Sequence, residues 1–167
     1  IQRPFTLLSQ TKLQIELTAS DLETGRHLEI TASNPAPGGG TSNKAVFTVL
    51  NPVPSLLSIT PTSVTAGSPD FTLTLTGDNF VKTSTVSFNN QQYSAAYISS
   101  FQLEITIPST AIQTAGQYPV SVSNPSPGGG VSSAINLTVT PKITVEPLPE
   151  GSFGKQYDEL IPTDATI

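Results

Sequence analysis

Several residues in the sequence have side chains and spacings that are used for metal binding, phosphate binding or acid–base catalysis. The Gly-Asp-Asn-Phe segment at residues 77–80 carries oxygen-bearing side chains in a turn, as calcium loops do. Two glycine-rich segments, residues 35–40 and 125–130, are similar to loops that cradle phosphate. His27 is the only histidine, and Asp158-Glu159 is an adjacent carboxylate pair, so both are candidates for acid–base catalysis.

None of these candidates is complete. Calcium takes about six to eight oxygen ligands, which one Asp and one Asn do not supply. Phosphate loops lead into a helix, whereas a Ser-rich strand is predicted after each glycine-rich segment. A lone histidine has no second ligand beside it, and glycosidase carboxylates face each other across a cleft instead of being adjacent in sequence. We therefore predict no enzyme activity, no cofactor and no metal site.

The same segments have structural interpretations. We expect Gly77 to adopt a backbone conformation that other residues resist, and Phe80 to fill the interior of the domain. Pro108 should end a strand because it cannot donate to a ladder. Each glycine-rich segment is predicted to be a mobile loop between two strands, with a contact surface between neighbouring domains as the alternative. The glycines of these predicted contact loops are Gly38, Gly39, Gly40, Gly128, Gly129 and Gly130.

Charge and composition argue against several classes of partner. The net charge is −5 with only seven Lys and Arg, which form no cluster, so nucleic acid and anionic membrane surfaces are not expected to bind. No apolar run approaches the roughly 20 residues that span a bilayer. The absence of cysteine excludes disulfides and thiolate metal sites. The uncharged, Thr-rich composition favours an extracellular location, secreted or on a bacterial cell surface.

An internal repeat organises the chain. Residues 33–40 recur almost unchanged as residues 123–130, and the same offset of about 90 positions aligns Leu13 with Leu103. A constant offset over a long stretch indicates duplicated domains, and a repeat of this size is typical of an immunoglobulin-like sandwich.

Three parts follow from the repeat. Residues 1–50 are predicted to be the C-terminal half of a first sandwich domain, residues 51–141 a complete domain, and residues 142–167 the start of a further immunoglobulin-like domain or an extended tail. The joints at residues 51–54 and 140–142 are short and rich in proline. Such linkers favour a semi-rigid rod over a flexible string of domains.

Two-residue alternation predicts the strands of the complete domain. Residues 71–76 place Phe71, Leu73 and Leu75 on one face and threonines on the other. Similar runs occur around residues 57–64, 86–88, 103–107, 118–122 and 135–139. We therefore predict an all-β fold of tandem immunoglobulin-like (Ig/E-set type) sandwiches, with about seven strands in the complete domain and a single helical turn at residues 109–114.

These runs resemble the IPT/TIG family of immunoglobulin-like domains. The carrying motifs are Gly-x-Asn-Phe at residues 77–80 and Ala-Gly-x-Tyr-x-Val at residues 115–120, within a resemblance that covers nearly all of residues 52–141. It implies tandem copies of a bacterial-type domain and a structural role for Gly77, Asn79, Phe80, Pro108, Gly116 and Tyr118. Residues 148–157 resemble the opening of a cadherin-like immunoglobulin domain of bacterial surface proteins.

The predicted function is structural. The chain is expected to act as a stalk, spacer or interaction arm of a large bacterial secreted or cell-surface protein, with neighbouring immunoglobulin-like domains, other surface proteins or glycans as partners. The DNA-binding members that the family includes carry basic loops that this sequence lacks.

Two alternatives remain open. An accessory domain of a secreted glycan-active enzyme would need free tyrosines, for which Tyr93, Tyr97 and Tyr157 are the candidates. A half domain at residues 1–50 would leave an apolar face uncovered. Three explanations compete: the chain is a fragment of a longer polypeptide, the half domain is disordered, or residues 142–167 of another copy complete it by strand complementation and build an extracellular filament.

Overall fold

The computed structural model describes residues 2–144, which fold into short strands joined by turns. The strands before residue 50 are β1 (Phe5–Ser9), β2 (Lys12–Ile15), β3 (Arg26–Ile30), β4 (Ser33–Asn34), β5 (Gly40–Thr41) and β6 (Ala45–Val49), with one helical turn, α1 (Ala19–Leu22). The later strands are β7 (Ser55–Thr60), β8 (Ser63–Thr65), β9 (Phe71–Asp78), β10 (Thr85–Phe88), β11 (Gln91–Ser94), β12 (Ala96–Ser99), β13 (Gln102–Ile107), β14 (Gly116–Asn124), β15 (Gly130–Val131) and β16 (Ile135–Thr140). No helix in the described residues is long and apolar enough to cross a membrane.

Strands β7–β16 form a two-sheet sandwich. One sheet has the order β12-β13-β9-β7, and the other has the order β11-β10-β14-β16-β8 with β15 beside β14. Neighbouring strands are antiparallel except for β16 and β8, which are parallel. Side chains from the inner faces of both sheets form one apolar cluster. The predicted all-β, immunoglobulin-like sandwich is therefore confirmed.

The alternation in the sequence determines this core. Leu73 and Leu75 on β9 are fully buried, whereas Thr72 and Thr76 on either side of them are exposed and Thr74 between them is half-buried. Val120 and Val122 alternate in the same way on β14 of the facing sheet. Burial of each such side chain contributes about 1.5–3 kcal/mol, so the cluster stabilises the sandwich without disulfides.

The strand count differs from the predicted seven, because β7–β16 comprise ten strands. The sequence interpretation missed β11, β12 and the two-residue strand β15. Strands β11 and β12 lie at the sheet edges, where both faces are largely exposed and the apolar alternation is weak. The signal for β11 was the Asn89-Asn90 pair, whose φ values of 48° and 65° suit a tight hairpin turn.

Strands β1–β6 repeat the pairings of the later strands at a constant offset of 90. Leu7 of β1 pairs with Leu13 of β2, as Tyr97 of β12 pairs with Leu103 of β13. Every residue pair between β3 and β6 has its counterpart, 90 positions later, between β14 and β16. The helical turn α1 corresponds to a 3-10 turn at Ser109–Ile112, which confirms the turn predicted at residues 109–114.

The C-terminal segment is described only as far as residue 144. The predicted cadherin-like opening at residues 148–157, Asp158-Glu159 and Tyr157 lie outside the described residues. The division of the chain at residues 50 and 141 stays a prediction.

Candidate functional site

The joint between the first group of strands (β1–β6) and the sandwich (β7–β16) contains a buried polar residue with hydrogen bonds to both sides. Its centre is Asn51, which is only 5% exposed although it begins the joint of residues 51–54 that was predicted as a proline-rich linker. A buried amide is costly unless its donors and acceptor are satisfied.

On the sandwich side, Asn51 is bonded to the loop of residues 125–130, which we call the second glycine loop. The Asn51 backbone N–H donates to the carbonyl oxygen of Pro127 at 2.8 Å, and the Nδ2 group donates to that of Pro125 at 2.7 Å. The Gly129 N–H in turn donates to the Asn51 carbonyl oxygen at 2.8 Å. Asn51 therefore runs alongside Gly128 like an extra, parallel strand residue.

On the other side, Asn51 is bonded to the first group of strands. Its Oδ1 atom accepts a hydrogen bond from the Gly25 N–H at 2.6 Å. A Cβ atom at Gly25 would lie 2.6 Å from the Asn51 side chain, so this approach requires glycine. One buried amide thus links both parts, and each of its hydrogen bonds contributes about 0.5–1.5 kcal/mol net.

A second buried amide, Asn124, supports the joint from within the sandwich. Its Nδ2 group donates to the carbonyl oxygens of Pro52 at 2.9 Å and Asn79 at 2.7 Å. Its Oδ1 atom accepts from the Ser84 hydroxyl at 2.6 Å. The residue after Asn51 is therefore also hydrogen-bonded to the sandwich.

An ion pair crosses the joint at the surface. Lys82 Nζ of the sandwich lies 2.6 Å from the Glu23 carboxylate, which follows α1. The hydrogen bond and the negative charge of Glu23 raise the pKa of Lys82. Both side chains are more than half exposed, so solvent screens this pair and it adds little to the stability of the joint.

Asp21 orders the helical turn that leads to Gly25. Its carboxylate accepts hydrogen bonds from the Thr18 N–H and the Thr18 hydroxyl, both at 2.8 Å. It also pairs with Arg3 and lies 3.7 Å from the Arg26 guanidinium. The hydrogen bonds from Thr18, followed by the two positive charges, lower the pKa of Asp21. Asp21 therefore stays ionised to a lower pH than an ordinary aspartate does.

Comparison with known proteins identifies the sandwich. Residues 54–139, just over half of the chain, match the IPT/TIG domain family. The chain belongs to the IPT/TIG family. It is also similar to the solution structure of the TIG domain from human nuclear factor of activated T-cells, cytoplasmic 4, with 21% sequence identity over 57% of this chain and 94% of that one and a TM-score of 0.42. No curated protein is significantly similar in sequence.

Membership of the IPT/TIG family indicates what kind of activity to expect. IPT/TIG domains are generally non-catalytic, immunoglobulin-like modules of protein interaction. Within residues 2–144, no three acidic or histidine side chains lie close enough together to hold a metal ion. His27 Nδ1 lies 2.9 Å from the Thr48 hydroxyl on the exposed surface of β3 and β6.

The Gly-x-Asn-Phe motif of the IPT/TIG domain closes the interior beside the joint. Phe80 is buried, as expected. The expectation for Gly77 is wrong in its cause, because Gly77 does not have a positive φ; Asn79 does, at 64°. Gly77 is required instead by a close approach, since its Cβ would lie 2.0 Å from the Ser55 carbonyl oxygen. Asn79 also donates from Nδ2 to the Val53 carbonyl oxygen at 3.1 Å.

The other predicted structural residues lie at the opposite end of the IPT/TIG sandwich. Pro108 directly follows the end of β13, as predicted, and precedes the 3-10 turn. Tyr118 stacks on Phe88 with ring centroids 5.5 Å apart, and its hydroxyl donates to the Thr114 carbonyl oxygen at 2.7 Å. Gly116 begins β14, where a Cβ would make only an ordinary contact with Tyr118 at 3.7 Å.

The two predicted contact loops have different surroundings. In the second glycine loop, Cβ positions at Gly128 and Gly130 lie against residues 50–53, and the Gly129 N–H donates to the Asn51 carbonyl oxygen. In the loop of residues 35–40, which we call the first glycine loop, neither Gly38 nor Gly40 has a neighbour within 4 Å of a Cβ position. Gly39 and Gly129 are alike in this respect, because the atoms nearest to a Cβ at either position are backbone atoms of residues 34–35 or 124–125.

Two sequence interpretations need correction or addition. Tyr93 and Tyr97 are not free for sugar stacking, because both pack against the core and Tyr93 meets Phe88 edge-on at 6.2 Å. The joint residues Asn51 and Gly25 were not recognised as a site. The available signal was their mismatch in the repeat, where the positions 90 residues later hold Pro141 and Ala115.

Proposed function

We propose that this chain is a non-catalytic structural segment of a bacterial secreted or cell-surface protein, in which sandwich units are held end to end as a semi-rigid arm. The Asn51 joint carries the proposal. Its side chain and backbone bond both Gly25 on one side and the second glycine loop on the other, so a rotation about the joint would break buried hydrogen bonds.

The linker itself supports a stiff arm. Pro52 and Pro54 restrict the backbone on the C-terminal side of Asn51. The Pro52 carbonyl oxygen is held by the buried Asn124, and Asn79 holds that of Val53. An arm of this kind sets the distance between the units beyond its ends, and it leaves loops and strand edges to contact neighbouring domains, other proteins or glycans.

The extracellular location is supported by composition. The chain has a low charge content, no cysteine or methionine and many threonines on exposed strand faces. Such a surface resists oxidation and needs no reducing environment. Protease treatment of intact cells tests this point, because an exposed arm is cleaved while a cytoplasmic control protein stays whole. Protection on intact cells, with cleavage after lysis, would contradict the extracellular location.

The arm itself is tested by distance measurements between spin labels. Since the chain has no native cysteine, Lys12→Cys and Gln91→Cys introduce the only two labels, one on β2 and one on β11. We expect one narrow distance distribution, and a broad one when Asn51→Gly is added. Asn43→Gly, at an exposed loop residue outside the joint, is the matched control and should leave the distribution narrow. A broad distribution without any joint mutation would contradict the proposal.

A filament subunit remains a second candidate, and the exposed apolar side chains of β1–β6 favour it. Leu13 and Phe47 are exposed, although their counterparts in the sandwich are buried. Residues 142–167 of another copy would then cover them, in a head-to-tail assembly that does not close. Light scattering over a range of concentrations tests this candidate. A monomer at every concentration would contradict it.

A further inference from the structure

The two glycine loops have the same local construction. Residues 33–34 pair with residues 40–41 in the register in which residues 123–124 pair with residues 130–131. The serine after each loop makes the same bonds: Ser42 N–H donates to the Ala32 carbonyl oxygen at 2.8 Å, and Ser132 N–H donates to that of Val122 at 2.9 Å. The strand pairs and serine bonds that hold the second loop in place therefore recur at the first.

The second glycine loop has an occupant, and the contacts define what it recognises. Residues 50–53 lie along it, and Asn51 supplies two donors and one acceptor to Pro125, Pro127 and Gly129. The buried Asn124 bonds the next carbonyl, that of Pro52. The ligand of this loop is thus a strand-end segment with the sequence apolar-Asn-Pro.

The first glycine loop offers the same groups without an occupant among the described residues. Residues 33–42 are all exposed, and a Cβ at Gly38 would meet nothing within 4 Å, whereas one at Gly128 would lie 2.6 Å from the Asn51 carbonyl oxygen. The loops differ at their middle glycine, since φ is 69° at Gly129 but is not positive at Gly39. Glycine adopts both conformations at little cost, so Gly39 can adjust on binding.

We infer that the first glycine loop is a docking site for the strand end of a preceding sandwich unit, carrying an apolar-Asn-Pro sequence like residues 50–52. The docked asparagine donates from its backbone and its Nδ2 group to the carbonyl oxygens of Pro37 and Pro35, and accepts from the Gly39 N–H. Asn34 takes the part of Asn124 and bonds the carbonyl oxygen of the docked proline. This inference rests on the proposed arm and names the partner of its first unit.

The segment 140–142 of a second copy does not fit this site. The residue in the place of Asn51 there is Pro141, which has neither a backbone N–H nor an amide side chain. It would leave the carbonyl oxygens of Pro35 and Pro37 without donors. The chemistry of the loop thus selects an Asn-Pro strand end over this chain's own second joint.

An NMR titration tests the inference. The probe is a capped peptide with the sequence of residues 48–54, Thr-Val-Leu-Asn-Pro-Val-Pro, added to the whole isotope-labelled chain. We expect saturable shifts at the amides of Asn34 and Gly39, and none at Gly129, whose loop is already occupied. A peptide with Leu in place of Asn should bind about tenfold more weakly or not at all, because it leaves the loop carbonyls unpaired.

A variant of the chain provides a second test of the docking site. Asn tolerates the positive φ of Gly38, so Gly38→Asn keeps the loop folded and places a side chain where the peptide must approach. Binding should fall about tenfold or more, whereas Gly67→Asn, at a positive φ remote from the loop, should not change it. The absence of shifts at Gly39 with the Asn peptide, or equal binding of both peptides, would overturn the inference. Narrow spin-label distances with no peptide binding would overturn it while leaving the proposed arm intact.

Discussion

Residues 5–49 and residues 95–139 have the same strand pairings and very different burial. Three pairs of side chains at the offset of 90 show the difference. Leu13 is 46% exposed and Leu103 0%, Leu22 is 49% and Ile112 0%, and Phe47 is 42% and Leu137 0%. In the second region, β7–β11 supply the covering strands. No described strand covers the first region in this way.

The comparison separates what is local from what is not. Register, hairpin bulges and loop hydrogen bonds recur in both regions, because they depend on residues close together in sequence. Burial depends on strands that pair across longer separations, such as β9 with β13. Strand register, bulges and loop hydrogen bonds thus persist in the first region without a buried core. The stability that a buried core contributes is absent there.

The largest expected difference between the regions is the loss of stability when a leucine side chain is shortened to alanine. Leu103→Ala removes a fully buried side chain and should lower the free energy of unfolding by about 2–5 kcal/mol. Leu13→Ala, at the equivalent position, should cost less than about 1 kcal/mol. Urea unfolding followed by amide signals of β2 and β13 measures both values. Equal losses would mean that Leu13 is covered as Leu103 is.

The next expected effect concerns the joint. Gly25→Ala places a Cβ 2.6 Å from the Asn51 side chain, so Asn51 must move and lose hydrogen bonds at a cost of about 1–3 kcal/mol. The matched change Ala115→Gly, just before β14, touches no such contact and should cost at most about 0.5–1 kcal/mol through the backbone alone. Hydrogen exchange at the Gly129 amide reports the joint directly. Unchanged protection in Gly25→Ala would show that the contact with Gly25 does not hold Asn51 against the second glycine loop.

Lowering the pH should destabilise the two regions through different carboxylates, with a smaller effect than the mutations above. The pKa of Asp21 is lowered in the folded state, so its contribution to stability is complete above the unfolded value of about 4 and is lost as the pH falls through the lower, folded value. Asp21→Asn should remove this acid sensitivity from residues 5–49 only. The pKa of Asp70 is lowered by its hydrogen bonds from Ser109, so Asp70→Asn should act only on the sandwich. Thermal unfolding at pH 6 and about pH 3, read region by region, checks both; acid sensitivity that survives in Asp21→Asn would exclude this role.

The smallest expected effect is that of the ion pair across the joint. Lys82→Gln should lower the unfolding temperature less than Gly25→Ala does, and the difference from the unmutated chain should vanish near 1 M salt, where screening acts over about 3 Å. Lys44→Gln, which removes the exposed Lys44–Glu29 pair within the first region, is the matched control. A large, salt-independent loss in Lys82→Gln would mean that this pair, and not Asn51, holds the joint.

Much of the fold was predictable from the sequence, because one-sided burial imposes a period of two on strands. The pattern of residues 71–76 identified β9 and its buried Leu73 and Leu75. The hairpin β10–β11 was missed because β11 is polar and lies at an edge. The left-handed residue was assigned to Gly77 by its permissive backbone, yet the structure places that conformation at Asn79.

The joint was not predictable in the same way. Asn51 precedes a proline in a segment that has the composition of any linker. Its partners Pro125 and Gly25 lie 74 and 26 positions away, and no periodicity connects them. Buried polar bonds between distant residues depend on the packed fold, so the sequence indicated a stiff joint but not its chemistry.

Residual dipolar couplings of the unmutated chain test the central claim most directly, which is that Asn51 holds both regions as one body. The amides of β3 and β6 and those of β14 and β16 should fit a single alignment tensor, and Asn51→Gly should separate them into two. Two different tensors in the unmutated chain would contradict the account.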